Sequence, residues 1–253
     1  MSGSVLLTYS MVAFGGEIAG AMARWILART TRTGRLRRQI ARLEAAGMVA
    51  LSGSGSIDRR LLRLTAGARL DLLGGIDPEV EWRRSWDGVW RVVAFDIPDS
   101  VEALRTRLRR RLHEHRFGWL QNSVWISPHP AGDFRRALGE TGIDPENLIY
   151  LDARPVGGES SAALVNGAWD FTRLAKDYES YRGVLRLRPN RIAGTTKDWF
   201  RWLETEHRAW LRVARRDPFL PSSLLPPGYL GHRAWEERRV ALREYVQAIG
   251  ALA

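Results

Sequence analysis

The sequence predicts an α+β protein of three parts, and a different pattern predicts each part. Two helical patterns followed by a short hairpin pattern occupy the first part. In the middle part, β-branched and aromatic runs alternate with helical stretches, and the last part has three helical patterns. A chain of 253 residues is long enough for several modest domains. We expect these domains at residues 1–75, 76–156 and 157–253.

Composition excludes several classes of protein. The chain has no cysteine, which excludes disulfide frameworks and cysteine-ligated zinc or iron–sulfur sites. The N-terminus lacks a charged segment followed by a long apolar run, so we expect neither a signal peptide nor a membrane span. A cytoplasmic location is the resulting expectation.

Positive charge is most concentrated near the N-terminus. The chain has a formal net charge of +11. Residues 1–74 contribute +7, from eleven arginines and four carboxylates, and residues 75–152 are net negative. A localised basic surface predicts a polyanionic partner such as double-stranded DNA. A basic surface that serves only solubility is the alternative.

Two helical patterns separated by a short break predict a helix-turn-helix. The first begins at Glu17, a break follows at residues 30–34, and the second ends at Gly47, which suits a C-cap. Apolar residues recur at helical spacing along the second pattern. They are Leu36, Ile40 and Leu43.

The opposite face of the second predicted helix is cationic. A helix of this kind, placed after a turn, is typical of a recognition helix in the major groove. The arginine guanidinium can bind phosphate oxygens or form two parallel hydrogen bonds with guanine. The predicted DNA contacts in this region are Thr33, Arg35, Arg37, Arg38, Gln39 and Arg42.

A hairpin pattern follows the basic helix. Met48–Leu51 is a short apolar run, residues 52–56 alternate serine and glycine, and Asp58–Thr65 alternates charged and apolar residues. A hairpin in this place is a wing, so the order predicts a winged helix-turn-helix with Arg59 and Arg60 as wing contacts to DNA. A solvated arginine-rich face, or a winged helix that binds protein, remains the alternative. Because such regulators usually bind two half-sites, we expect a homodimer.

The middle part follows the order of a split βαβ domain. Asp99 and Glu102 fit a capping box at the start of its first helix. The predicted elements are a strand at 91–97, a helix at 101–115, an extended segment at 119–127, a short helix at 133–140 and a strand at 148–151. This order predicts a ferredoxin-like domain, which we expect to take part in dimerisation.

Several segments resemble the PaaX-type family of phenylacetic-acid degradation repressors. The longest are residues 86–98, WDGVWRVVAFDIP, and residues 117–128, FGWLQNSVWISP. Shorter matches occur at residues 15–18, 40–47, 169–171 and 217–226. The resemblance implies a repressor with a winged helix, a ferredoxin-like middle domain and a C-terminal domain. It also implies target genes of aromatic-acid catabolism and an aryl- or acyl-CoA effector.

The middle part also resembles the small CRISPR-associated ferredoxin-like endonucleases. Those end their first strand in an aspartate that a dimer pairs around a divalent metal, and Asp96 occupies such a position. A metal-dependent nuclease is therefore the alternative function. Both aspartates also have a purely structural interpretation, with Asp96 as a carboxylate at the end of a strand and Asp99 as a helix N-cap. We expect no enzyme activity, and hence no catalytic residue, cofactor or metal.

Three helical stretches are expected after the Gly157-Gly158 linker, at about residues 168–185, 196–215 and 231–249. Tryptophans recur along the second and third stretches. They are Trp199, Trp202, Trp210 and Trp235. Core packing is one interpretation, and an aromatic-walled pocket for an anionic aromatic effector is the other. The sequence leaves the effector-binding residues open.

Overall fold

The computed structural model describes residues 17–19, 36–54, 61–130, 134, 148–190 and 194–251. The strands are β1 (Glu17–Ala19), β2 (Val49–Ser52), β3 (Leu61–Leu64), β4 (Trp90–Phe95), β5 (Gly118–Gln121), β6 (Val124–Ser127) and β7 (Leu148–Ala153). The helices are α1 (Leu36–Ala45), α2 (Ala66–Leu73), α3 (Pro78–Arg83), α4 (Glu102–Glu114), α5 (Ser161–Ala168), α6 (Phe171–Arg186), α7 (Thr196–Ala214) and α8 (Gly231–Ala251). The chain is therefore α+β, as the sequence predicts.

The described residues form two compact units. Unit 1 contains those of residues 1–77, 177–214 and 230–253, and unit 2 contains those of residues 78–176 and 215–229. The C-terminal part of the chain thus contributes to both units. The three consecutive domains expected from the sequence stay a prediction.

In unit 1, the hairpin that follows α1 is part of a three-stranded antiparallel sheet. The strand order is β1-β3-β2, and Ile18 lies opposite Leu62 in the register. The helical expectation for the start of the first pattern is wrong, because Glu17–Ala19 is the strand β1. A third strand completes backbone hydrogen bonds that a hairpin alone would leave open, and such tertiary pairing overrides local spacing. The rest of that pattern, residues 20–35, lies outside the described residues.

Helix α1 has the apolar face that its spacing predicts. Ile40 and Leu43 are buried, and the helix is followed by Gly47 at a positive φ of 67°. The hydroxyl of Thr65 donates to the carbonyl oxygen of Gly47 and accepts from the backbone N–H of Ala68. Thr65 therefore joins the end of α1 to the start of α2.

The core of the helical part of unit 1 is aromatic. Trp199, Trp202 and Trp210 of α7 are buried, as is Trp235 of α8. The indole Nε1 of Trp210 donates to the carbonyl oxygen of Leu73 at 3.1 Å, which joins α7 to α2. These tryptophans fit the core-packing interpretation of the C-terminal pattern.

A charged pair connects α6 and α8 within unit 1. Both Nε and a terminal nitrogen of Arg182 bind the Glu237 carboxylate, at 2.8 and 2.7 Å. These hydrogen bonds from Arg182 lower the pKa of Glu237, and its proximity to Arg233 acts in the same direction. Because the pKa is lower in the folded protein, the stabilisation is present above the unfolded-state pKa and is lost as pH falls through the folded value.

Glu237→Gln is expected to lower the free energy of unfolding at pH 7 by about 1–2 kcal/mol, since it removes a charge-assisted pair that solvent partly screens. The difference from the parent protein should shrink as pH falls below the unfolded-state pKa of about 4.3, because the carboxyl of the unfolded chain then becomes protonated first. Urea titrations at pH 7 and pH 3.5 measure this. Glu236→Gln, in an exposed pair with Arg239 on the same helix, is the control and should change stability little. A difference independent of pH would contradict the assignment.

Unit 2 contains a four-stranded antiparallel sheet of order β5-β6-β4-β7. In chain order these are its second, third, first and fourth strands, which is the order of a split βαβ domain. The extended segment expected at residues 119–127 is wrong as one strand, because Asn122 turns the chain at a φ of 45° and separates β5 from β6. Asparagine tolerates this conformation better than most residues. The short helix expected at 133–140 lies outside the described residues, apart from the buried Phe134.

The two faces of this sheet have separate apolar clusters. Val93, Phe95 and Trp125 pack with Leu108 and Leu112 of α4 on one face. The other face has its own cluster, made of Trp90, Ile126, Val165, Ala168, Leu220 and Leu224. Helix α5 and the segment after α7 therefore cover the face that α4 leaves open.

Two helix starts differ from expectation. A 3-10 turn at Asp99–Val101 precedes α4, and Val101 occupies its N-cap without a side-chain hydrogen bond, so the capping box is wrong. The helix expected at 168–185 is α6, which begins three residues later at Phe171, and the sequence did not predict the separate helix α5 before it. Trp169 is extended between them, and the Asp170 carboxylate accepts from the backbone N–H of Arg173 at 2.8 Å, which caps α6.

Within the described ranges, no helix has both the length and the apolar character needed to cross a membrane.

Candidate functional site

The described part of the predicted DNA-contact set lies on α1. Arg38 and Arg42 are exposed and stand four residues apart, so they share one side of the helix, away from the buried Ile40 and Leu43. Arg37 and Gln39 also belong to α1. Thr33, Arg35, Arg59 and Arg60 lie outside the described residues. The helix therefore presents at least two cations to solvent on one side.

The hairpin β2–β3 follows α1 directly. Along β3, buried Leu62 and Leu64 alternate with exposed Leu61 and Arg63. The pairing of β3 with β2 is antiparallel over four residues of each strand. The exposed arginines of this region therefore lie on α1, at positions 38 and 42, and on β3, at position 63.

Asp96 follows the last residue of β4 and is exposed. Among the described residues, no group of three or more histidine or carboxylate side chains is placed to hold a metal ion. The position of Asp96 at a strand end therefore agrees with its sequence prediction, without further ligands being brought to it in the described part of the chain.

The described residues of unit 2 also form a pocket of about 840 Å³. It lies at β5, an edge strand of the sheet, with α4 on one side and the junction of α5 and α6 on the other. Most of its side chains are aromatic or polar. The lining residues are Arg109, His113, Trp119, Trp125, Asn166, Gly167, Ala168, Trp169, Asp170, Phe171 and Thr172.

Aromatic side chains fix one wall of this pocket. Trp119 and Trp125 are partners across β5 and β6. The ring of His113 meets Trp125 edge to face, with centroids 4.8 Å apart. Burial lowers the pKa of His113, so the neutral imidazole is favoured there. Trp119 is 50% exposed, and its Nε1 donates to the carbonyl oxygen of Asn122 at 2.9 Å, which orients the ring.

Gly118 allows the close approach of Trp169 on the opposite wall. A Cβ atom at Gly118 would lie 2.5 Å from Cε2 of Trp169 and 2.7 Å from Cβ of Ala168. Real Cβ atoms do not approach other atoms so closely, so a larger residue would displace Trp169 or α5. The position of this indole therefore depends on a glycine in β5.

Gly118→Ala is expected to lower the free energy of unfolding by about 1–3 kcal/mol, because overpacking forces side chains and backbone apart. Urea titration measures the change. Gly167→Ala is the matched control, since its Cβ would lie 3.7 Å from Leu120 and alanine favours a helix. Equal stability of the two variants would contradict the close packing of Trp169.

The sequence did not identify the pocket residues. The aromatic effector pocket considered from the sequence involved tryptophans that the structure buries in unit 1. A signal existed nevertheless, because residues 117–128 and 169–171, two of the segments that resemble a known family, both contribute to the pocket lining. What the sequence could not show is that residues 109–125 and 166–172 meet.

Comparison with protein families gives a match in unit 2. Residues 83–165 match the family described as the PaaX protein central Cas2-like domain. The match begins in α3 and ends in α5, so it includes all four strands of the larger sheet. It agrees with the family resemblance of the sequence motifs.

Two individual proteins are similar over most of the chain. The transcriptional repressor PaaX of Escherichia coli K12 is 27% identical over 239 residues, which cover 87% of this chain and 72% of that protein. The uncharacterized protein Rv0674 from Mycobacterium tuberculosis has a similar structure, with a TM-score of 0.56 and 21% sequence identity. That similarity covers 98% of this chain and 97% of the other, and it concerns the fold alone.

Proposed function

Because the chain is similar to the transcriptional repressor PaaX and its residues 83–165 match the PaaX central domain, we propose that it is a PaaX-type transcriptional regulator that binds operator DNA and represses the genes it controls. One observation carries the proposal, namely the similarity to a transcriptional repressor along 87% of the chain. That similarity extends beyond the central domain, which spans residues 83–165. The flanking regions are therefore shared with a regulator, which favours regulation over nuclease activity as the role of the whole chain.

The proposed DNA-binding element is a winged helix-turn-helix in the N-terminal region. Its support in the structure is the exposed pair Arg38 and Arg42 on α1, followed directly by the β2–β3 hairpin. Recognition helices use this side of the second helix in the major groove, and the wing contacts neighbouring phosphates. The proposed contact set also includes Thr33, Arg35, Arg37, Gln39, Arg59 and Arg60.

The regulator is proposed to act in the cytoplasm as a homodimer, with the central domain taking part in dimerisation. A dimer would present two basic helices to two half-sites of one operator. On the central sheet, β7 is an edge strand, and its side chains Ile149 and Leu151 are more than half exposed. An apolar edge of this kind suits burial against a second copy.

The proposed trigger for release of DNA is a small acyl-CoA or aryl-CoA effector, and the proposed targets are genes of a catabolic operon. This follows from the PaaX-type resemblance. An effector changes DNA affinity only to the extent that it binds the DNA-free and DNA-bound forms differently. No catalytic step is needed for this role.

A gel-shift titration tests the regulator. The full chain is titrated against the promoter region of its own gene neighbourhood and against a random duplex of equal length and composition, at one fixed salt concentration. A specific regulator should bind the promoter about 1,000-fold more tightly or better. Equal affinity for the two duplexes would contradict the proposal, whatever the absolute affinity.

A further inference from the structure

We infer that the pocket at the edge of β5 in unit 2 is the effector site and that its ligand combines a planar aromatic group with an acidic group. The inference rests on the proposed function in one respect, namely that the protein responds to a small molecule. The pocket's volume of about 840 Å³ lies in the range of small-molecule and cofactor sites, which is about 300–1,000 Å³.

The aromatic half of the ligand follows from the walls. Trp119 and Trp169 approach the pocket from β5 and from the α5–α6 junction, and Phe171 begins α6 beside them. Flat rings of this kind favour another flat ring through offset or edge contacts in addition to the area that they bury. Half of the Trp119 surface is open to solvent, so a bound ring would bury indole surface that the free protein exposes.

The acidic half follows from the charges at the pocket. Arg110 and Arg111 of α4 pair with Glu114, at 3.6 and 2.9 Å. Arg109, which lines the pocket, has no carboxylate within ion-pair distance among the residues that the structure describes. The carboxylate of Asp170 also lines the pocket, but it already accepts the backbone N–H of Arg173 as the cap of α6. Arg109 therefore favours an acidic group at the pocket, while the helix-capping hydrogen bond fixes the Asp170 carboxylate to the backbone of α6.

One further feature of the pocket suits an acidic group. The first turn of α6 begins at the pocket, at Phe171 and Thr172, and helix N-termini favour negative charge.

Calorimetric titration of the full chain without DNA tests the inference. The probes are 2-naphthoate, its neutral amide, which lacks the acidic group, and decahydronaphthalene-2-carboxylate, which keeps both rings and the acid but is not aromatic. We expect saturable binding of 2-naphthoate, with both analogues at least about tenfold weaker, since a charge-assisted contact or an aromatic contact is lost. A parallel titration with 2-naphthoyl-CoA distinguishes a free aryl acid from an aryl thioester as the source of this chemistry.

Variants assign the binding to the pocket. Arg109→Gln should raise the dissociation constant of 2-naphthoate about tenfold or more and leave that of the amide unchanged, while Arg110→Gln should alter neither. Trp119→Leu, at a half-exposed position where truncation spares the core, should weaken the acid and the amide alike. Equal affinity for acid and amide, an unaltered Arg109→Gln protein, or the absence of saturable binding of any probe would each overturn the inference. The promoter gel shift without ligand is a separate measurement, so failure of the regulator and failure of the pocket are distinguishable.

Discussion

Replacing Arg238 by methionine is expected to lower the free energy of unfolding by about 3–5 kcal/mol. Arg238 and Glu206 form an ion pair inside unit 1, with Nε and Oε1 2.8 Å apart and side chains 1% and 0% exposed. The hydroxyl of Tyr181 donates to the same carboxylate oxygen at 2.6 Å. Methionine leaves the Glu206 carboxylate buried without its cation, and an uncompensated buried charge is strongly destabilising.

Aromatic rings surround the Arg238 guanidinium, so the ion pair belongs to the core of unit 1 and not to its surface. Its guanidinium lies 4.7 Å from the ring centroid of Trp210 and 5.5 Å from that of Trp235. Tyr181 itself has a raised pKa, because its hydroxyl is buried and lies beside the Glu206 carboxylate. The tyrosine therefore stays a neutral donor, and the carboxylate depends on Arg238 for charge compensation.

Urea-induced unfolding followed by far-ultraviolet circular dichroism measures the effect. Arg239→Met is the control, because Arg239 is the exposed neighbour on the same helix and pairs with Glu236 at the surface. The double variant with Glu206→Leu and Arg238→Met should recover much of the loss, since removing both charges leaves no buried charge unpaired. A loss below about 1 kcal/mol for Arg238→Met alone would contradict the buried pairing.

Long periodic elements were predictable from the sequence, and short ones were not. Helix α1 is predicted because Ile40 and Leu43 repeat at helical spacing, and its arginines then fall on the other side. Residues 17–19 begin a pattern with similar apolar spacing, but three residues are too few for the spacing to distinguish a helix from a strand. Their strand conformation follows from pairing with β3. The hairpin between β5 and β6 is missed because its turn, Asn122-Ser123, interrupts an otherwise extended run by only two residues.

Of the two candidate sites, the one formed by residues close together in the sequence was predictable and the other was not. The basic face of α1 is a local property of one helix, so its members are visible in the sequence. The pocket instead brings Arg109 of α4 together with Trp169, sixty positions further along the chain, and no periodicity links them. The same limit applies to the packing of Trp169 against Gly118, because these two residues are also far apart in the sequence.

Replacing both Arg38 and Arg42 by glutamine is expected to weaken DNA binding about 10- to 100-fold at 0.1 M salt and to reduce the salt dependence. Each phosphate-contacting cation releases condensed counterions, so losing two contacts should flatten the slope of log K against log salt by about two. Gel-shift titrations at several salt concentrations measure both quantities. The charge-matched control is a double variant in which glutamine replaces the exposed Arg107 and Arg110 of α4 in unit 2.

The sequence dependence of this loss assigns a role to each arginine. If a side chain contacts phosphates, its replacement weakens promoter and random DNA equally and changes the slope by about one. If it contacts guanine in the major groove, the loss is about 1–3 kcal/mol and is confined to the promoter. If the double variant kept the parent slope and affinity while the α4 control lost affinity for DNA, the DNA interface would not be on α1. In that case the exposed side of α1 would be a solvated face, and the wing assignment that depends on it would fail with it.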